Sequence, residues 1–382
     1  MLKETVEFIR QTYKTPEAFI PLHEPRFTGN EKKYLNDCID STFVSSVGMF
    51  VNRFEDDIKK YTGAKYAVAT SNGSAALHIA LLLAGVKRDD LVITQPLTFV
   101  ATCNAIAYLS AEPVFVDIDR KTLGLSAEKL EEFLVDSVFL NDSGECIHSN
   151  SQKRIAACVP MHTFGHPAEI DRIFEICNAY HIPLVEDAAE SVGSFYKGKH
   201  TGTFGLLGTF SFNGNKTITC GGGGAIITDK DELGLLAKHL TTQAKVPHAW
   251  EFIHDHIGFN YRMPNLNAAL ACAQLECLEG YIENKRQLGD LYADFFENSS
   301  YAFISEPQNS RANYWLQSIM LADRSERDAF LEYTNKSGVM TRPAWTLMNK
   351  LPMFEQCICG NIESAQFVED RLVNIPSSVR IN

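Results

Sequence analysis

Apolar residues fall into two spacings along the chain. In residues 1–13 they recur every three to four positions, the signature of a short amphipathic helix that must stop before Pro16. Glu31–Ser41 reads as a second helix. From about residue 65 short β-branched runs alternate with helical patterns. The strands predicted are Lys65–Thr70, Leu91–Thr94, Val114–Asp117, Ile155–Pro160 and Pro183–Val185. The helices between them are Ser74–Ala84, Phe99–Ser110, Ser126–Leu134 and Glu169–Tyr180. Strands that are apolar throughout and separated by helices predict an α/β fold with a mostly parallel sheet, covered by helices on both faces.

The pattern changes after Glu190. Gly193–Thr228 is rich in Gly, Thr and Phe, with strand pieces at Thr209–Phe212 and Gly224–Thr228 and a hairpin at Lys197–Lys199. A long helical pattern covers Asn265–Leu288. The tail mixes helices with strand-like pieces at Trp315–Leu321 and Val339–Arg342, as a smaller α+β domain would. The division expected is residues 1–257, an N-terminal segment with a large domain, and residues 258–382, a small domain. Residues 141–153 are polar and read as a surface insertion.

Composition narrows the function. The 382 residues carry 35 Lys and Arg against 47 Asp and Glu, a net charge of −12, and no basic patch, which argues against a nucleic-acid partner. The ten cysteines are scattered, with no CxxC pair, as suits reduced thiols in the cytoplasm. The opening residues lack the apolar core of a secretory leader, and the longest apolar run, Ala75–Val86, is too short to span a membrane and holds His78.

Three constellations could carry chemistry. Ser71-Asn72-Gly73-Ser74-Ala75 follows a strand and opens a helix, where free N–H groups and the dipole attract an anion, although an ordinary serine cap reads the same way. Glu186, Asp187 and Glu190 follow the strand Pro183–Val185, at the end of a parallel strand where ligands bind; neighbouring acids point apart, so only one of the first two need face a crevice. Lys216 lies between a strand and Gly221–Gly224, a run that lets backbone pass close to a bulky ligand. A lysine for an imine, an acid for a pyridinium nitrogen and a helix start for a phosphate are together the parts that hold pyridoxal 5′-phosphate. Phe99, after the next strand, offers a ring to stack on it. Metal readings are weak: Gly165 and Pro167 prevent His162 and His166 from sharing a helix face, and His254 with His256 lack a third ligand. Arg342 in Arg342-Pro343-Ala344-Trp345 reads equally as a diphosphate contact or as part of a structural turn.

With these residues the chain resembles the DegT/DnrJ/StrS sugar aminotransferases nearly end to end. The likeness runs through Phe43-Val44-Ser45-Ser46-Val47-Gly48, Asn72–Leu77, Thr98–Thr102, Glu186–Ala189, Phe210–Phe212 with Lys216, and Gly258–Met263. The resemblance implies the aspartate-aminotransferase (type I) fold. It implies that Lys216 carries the cofactor, that Asp187 pairs with its ring nitrogen, and that Phe99 lies on the ring. Gly73, Ser74, Ala75 and Ser211 would surround the phosphate, and Asn260 of a partner subunit would complete that site, so the enzyme would be a homodimer. Ser45 and Ser46 become candidate substrate contacts. Glu190 stands where relatives often have Gln or His facing the cofactor's phenolic oxygen, so an acid there must be protonated or paired. Gly222 stands where many have Glu. The openings Ile20–Pro25 and Phe43–Gly48 look most like the branch serving legionaminic acid synthesis, which aminates C4 of a nucleotide-linked 4-keto-6-deoxy-N-acetylhexosamine with, by resemblance, L-glutamate as donor. The alternatives are another keto sugar, a cyclitol, or a non-catalytic regulator on the same scaffold. Dehydrating relatives replace the lysine with histidine, so Lys216 argues against that reaction.

Overall fold

Leu91–Thr94, Ile155–Val159, Leu207–Ser211 and Gly224–Thr228 are runs in which every side chain is buried, as in a strand with helices on both sides. The computed structural model describes residues 1–380. Its central sheet contains β1 (Tyr66–Thr70), β2 (Leu91–Thr94), β3 (Glu112–Phe115), β4 (Ile155–Val159), β5 (Val185–Asp187), β6 (Leu207–Ser211) and β7 (Gly224–Thr228). Its strand order is β3-β2-β4-β5-β6-β7-β1, with β4 and β5 joined by parallel bridges at Cys158–Leu184 and Met161–Asp187. Only β7 runs against its neighbours. The largely parallel sheet read from the sequence is therefore present, and the exception has a local cause. The link from β6 to β7, residues 212–223, is a close turn about Phe212, whose N–H and C=O bond Gly223 and Cys220, and it holds no crossover helix of the kind parallel pairing needs.

The helix Gly73–Leu83 is buried on nearly every side and sits beside β6 and β7. A helix at Met49–Thr62, absent from the pattern reading, buries Phe50, Val51, Phe54 and Ile58 against the long helix Asn265–Phe296 and ends on Gly63, whose φ of 81° favours glycine. Asp231–Thr241 is a second helix the pattern did not reveal. The long helix has 32 residues, about 48 Å at 1.5 Å per residue, and is lined with Ala268, Ala269, Ala271, Cys272 and Ala273, small enough for close helix packing.

Beyond it lies an antiparallel sheet ordered Ala302–Phe303, Gln317–Met320, Leu372–Ile375, Arg342–Pro343. The N-terminal helix Leu2–Thr12 packs Val6 and Ile9 into this layer with Leu288, Tyr292 and Phe330. We propose the boundary between the two parts near residue 257, ahead of the long helix.

The hairpin at Lys197–Lys199 is present, with Phe195–Tyr196 paired to Lys199–His200. The polar stretch 141–153 is more than a surface insertion. Val138–Leu140 and Cys146–His148 form a hairpin that buries Cys146 and His148, while Phe139, Leu140, residues 149–152 and most of the tip, which the Asn141 side chain holds, are exposed. Among the described residues no helix is long and apolar enough to cross a membrane.

Candidate active site

The chain ends of β1, β5 and β6 converge on one cleft of about 320 Å³. This is where side chains from successive parallel strands meet. Gly73, Ser74, Phe99, Asp187, Glu190, Ser211 and Lys216 all line it.

After β1 the chain turns directly into the helix Gly73–Leu83. The Asn72 side chain caps it, its Oδ1 accepting from the Ala75 N–H at 2.8 Å, and the Asn72 carbonyl accepts from Ala76 at 3.2 Å. The N–H groups of Gly73 and Ser74 precede any intrahelical acceptor and face the cleft end of the dipole. Ala75 is buried behind them, its N–H already occupied. A Cβ on Gly73 would lie 2.8 Å from that of Ser211, so glycine is what lets this helix start close on β6. Within the Gly221–Gly224 run, the last two glycines are closely packed by the protein itself. A Cβ on Gly224 would lie 2.5 Å from the Asn72 carbonyl oxygen and one on Gly223 2.4 Å from Cys220 Sγ, so these glycines admit protein backbone and side chains, not a ligand.

The two adjacent acids part, because successive strand residues point to opposite faces. Glu186 turns into the protein, where it accepts from the N–H groups of Gly202, Phe204 and Gly205 and from His162 Nε2 at 3.0 Å. His162 Nδ1 in turn accepts from the Ala168 N–H, so this histidine is a satisfied core residue. Asp187 faces the cleft. Its Oδ2 accepts from Thr102 Oγ1 at 2.7 Å and its Oδ1 from the Ala189 N–H at 3.1 Å. Burial raises its pKa, and those two bonds and the Lys216 charge draw it back.

Lys216 Nζ lies 3.2 Å from Glu190 Oε1 and 4.1 Å from the ring centroid of Trp315, with its side chain 12% exposed. Glu190 is buried, and its Oε2 accepts from the Phe164 N–H at 2.9 Å. Phe164 reaches that position with φ 56°, a conformation rare for a bulky side chain. Burial pushes the Glu190 carboxyl up to about 7, against the pull of Lys216. The acid that stood out in the sequence is thus both paired and ready to hold a proton.

The native state binds the Glu190 proton more tightly than the unfolded chain does, so the group's contribution is complete below its ordinary value of 4.5 and is lost as pH rises through about 7. Relative to the parent, cofactor-free Glu190→Gln protein should gain melting temperature between about pH 5 and about pH 8. A difference that stays flat across that range would show that the carboxyl is not held up.

Three groups that the sequence reading missed organise the site. Thr102, four residues after Thr98 and bonded to it at 2.9 Å, orients Asp187. Trp315 walls the lysine, and its Nε1 donates to the Asn215 carbonyl at 2.6 Å. The buried Asn313 donates from Nδ2 to the carbonyls of Glu190 and Val192 and to Thr217 Oγ1, tying the acid and the lysine loop to one amide. Thr102 closes the stretch Thr98–Thr102 that carries part of the family resemblance, whereas the other two have no local signal.

Phe99 is 48% exposed at the rim, 6.2 Å from the Trp345 ring. Ser45 and Ser46 do not line the cleft. Their segment is fastened to the long helix by Asn265, whose N–H donates to the Ser45 carbonyl at 2.6 Å and whose Nδ2 donates to the Phe43 carbonyl at 2.6 Å. Arg342 is exposed on the edge strand of the small sheet and lines a neighbouring cleft. Asn260 is exposed and outside its own chain's cleft. His256 meets Asp255 and His239, not His254: Asp255 Oδ1 accepts from His239 Nε2 at 2.6 Å and from His256 Nδ1 at 3.0 Å.

The cleft suits pyridoxal phosphate. It offers an amine inside an enclosed space, a buried carboxylate beyond it, and a helix start with two free N–H groups beside a serine hydroxyl. Fold and site together define a pyridoxal-phosphate-dependent aminotransferase. The chain belongs to the DegT/DnrJ/EryC1/StrS aminotransferase family, whose model matches residues 25–382. It is 36% identical over 362 residues to the GDP-perosamine synthase of Escherichia coli O157:H7, covering 94% of this chain and 93% of that protein. It is 34% identical over 340 residues to the putative pyridoxal phosphate-dependent aminotransferase EpsN of Bacillus subtilis, covering 89% and 84%. In three dimensions it superposes on Helicobacter pylori PseC, an aminotransferase of pseudoaminic acid biosynthesis, with TM-score 0.86 over 95% of each chain at 21% identity. That likeness supports the type I fold.

Proposed function

We propose that this enzyme transfers the amino group of an amino acid, L-glutamate by family resemblance, to C4 of a nucleotide-linked 4-keto-6-deoxy sugar, for synthesis of a surface glycan or nonulosonic acid. The observation that carries the reading is the Lys216 amine held in a largely enclosed cleft between Glu190 and Trp315, with Asp187 buried alongside. Relatives named for perosamine, a 4-amino sugar, support C4 as the position. Within that class, the likeness of Ile20–Pro25 and Phe43–Gly48 to the legionaminic branch favours an N-acetylated sugar, whereas those relatives favour a GDP-linked one.

Each side chain then has a task. Gly73 and Ser74 N–H and the Ser211 hydroxyl bind the phosphate, with Ala75 closing the turn behind them. Asp187 keeps the ring nitrogen protonated, Phe99 covers the ring, and Glu190 holds a proton near the phenolic oxygen. When bound, pyridoxal phosphate supplies the electron sink that stabilises a carbanion at the donor's Cα. The Lys216 amine removes the proton from that carbon and returns one on the far side of the transfer. Trp315 and Trp345 exclude water. The partner's Asn260 completes the phosphate site in a homodimer. In support, Trp250, Phe252 and Ile257 are 78%, 80% and 86% exposed just before it, an apolar stretch that a second copy would cover. The ten free thiols suit the cytoplasm, where we place the enzyme.

The test is mass spectrometry of products from GDP- and UDP-linked 3-keto and 4-keto sugars with glutamate. One 4-keto sugar should gain an amino group. Amination of a cyclitol ketone, or of 3-keto sugars alone, would overturn the reading.

A further inference from the structure

A second cleft of about 490 Å³ opens beside the first and shares Asn215, Trp315 and Trp345 with it. Its other walls come from the small sheet and from the N-terminal segment, which contributes His23. His23 is the unusual member. Both ring nitrogens are buried, and neither has a hydrogen-bond partner among the described residues. Native proteins rarely leave a buried donor and a buried acceptor unpaired, because each forfeits its bonds to water.

The surroundings say what kind of group would pair with it. Burial, then the charges of Lys285, Lys216 and Arg26, hold the imidazole pKa well below the usual histidine range, so the ring is neutral. A neutral imidazole offers one N–H and one lone pair. A hydroxyl or an acylamino group offers the matching pair, whereas a carboxylate or phosphate offers only acceptors. The shared walls Trp315 and Trp345 present flat apolar faces of the kind that sugar C–H edges cover, and they connect the second cleft to the Lys216 amine. Among the described residues no carboxylate lines this cleft, and Arg342 stands at its small-sheet side, open to an anionic tail.

We infer that His23 is a specificity-determining contact, reading a hydroxyl or acylamino group of the sugar ring that occupies the second cleft. This rests on the keto-sugar reading above. The histidine lies in the opening segment Ile20–Pro25, which contributes no residue to the lining of the cleft that would hold the cofactor.

The test uses the holoenzyme and its His23→Leu and His23→Asn variants, with two probes, a GDP-linked 4-keto-6-deoxyhexose and a UDP-linked 4-keto-6-deoxy-N-acetylhexosamine. The two half-reactions are followed separately through the cofactor's absorbance, and equilibrium binding through fluorescence of the cleft tryptophans. His23→Leu should raise KM and the dissociation constant for the preferred sugar by about ten- to a hundred-fold, the factor for one lost polar pair. The loss should be confined to the sugar half-reaction, and His23→Asn, which keeps a donor and an acceptor, should recover part of it. Melting curves identify any variant that fails to fold, in which case the asparagine variant alone decides: weakened sugar binding with a normal donor half-reaction supports the inference. Parent-like sugar affinity in the folded variants, or a defect in the glutamate half-reaction instead, overturns it. If the parent aminates neither sugar, the keto-sugar reading fails, and the His23 assignment is then judged on whether nucleotide-sugar binding depends on residue 23.

Discussion

Replacing Lys216 by alanine is expected to slow transamination by about four orders of magnitude, the upper range for loss of a positioned acid–base group. It should also remove the visible absorbance that borohydride fixes onto the parent protein. The substitution is a clean probe because the side chain has few structural duties. Its amine contacts Glu190 and the Trp315 ring, while the backbone turn is held separately, by Lys216 N–H to the Asn213 carbonyl at 3.0 Å. Glu190, left without its cation, can take up a proton, since its pKa is already raised to about 7. The variant should therefore fold and still take up free cofactor through the Gly73–Ser74 helix start. An alanine variant that turns over at the parent rate would leave the site without a chemical role for this residue.

The second large effect belongs to Asp187→Asn. An asparagine keeps the shape and can keep both neighbours: its carboxamide oxygen still accepts from the Ala189 N–H, and its NH2 group faces the Thr102 hydroxyl, which can accept as well as donate. What disappears is a buried negative charge facing the cleft. Both half-reactions should slow by about 10²- to 10³-fold, the usual consequence of losing one preorganised electrostatic partner, and the cofactor should be lost more readily on dialysis. Parent-like rates with cofactor retained would show that the carboxylate has no electrostatic task.

The Asp187 site also shows how far the amino-acid string can be read. Strand and helix periods located β1, β2, β4 and β7 closely, because strands buried on both faces read as short, mainly apolar and β-branched runs. They missed the helix Met49–Thr62, whose apolar face is set among charged residues, and β7's reversed direction, which depends on how short the link from β6 is. The acidic cluster, the lysine and the capped helix start were visible as three separate stretches. Trp315 and Asn313 were not visible, since each acts from about 100 residues away in sequence, Trp315 on Asn215 and Asn313 on Thr217. His23 attracted notice only as part of a resemblance, and its isolation from any partner is a property of the folded surroundings.

What the residues themselves determined is chemical kind: an amine, buried acids and an anion-binding helix start, in an order that makes each follow a strand. Periodicity and residue type are local, so they survive without coordinates. The folded chain alone decided which of Glu186 and Asp187 faces the cleft, that Glu190 lies within hydrogen-bond reach of Lys216, and that Gly223 and Gly224 are closely packed by the protein itself. Those outcomes depend on distances between segments far apart in the chain, and such distances are set by packing of the whole sheet and its helices.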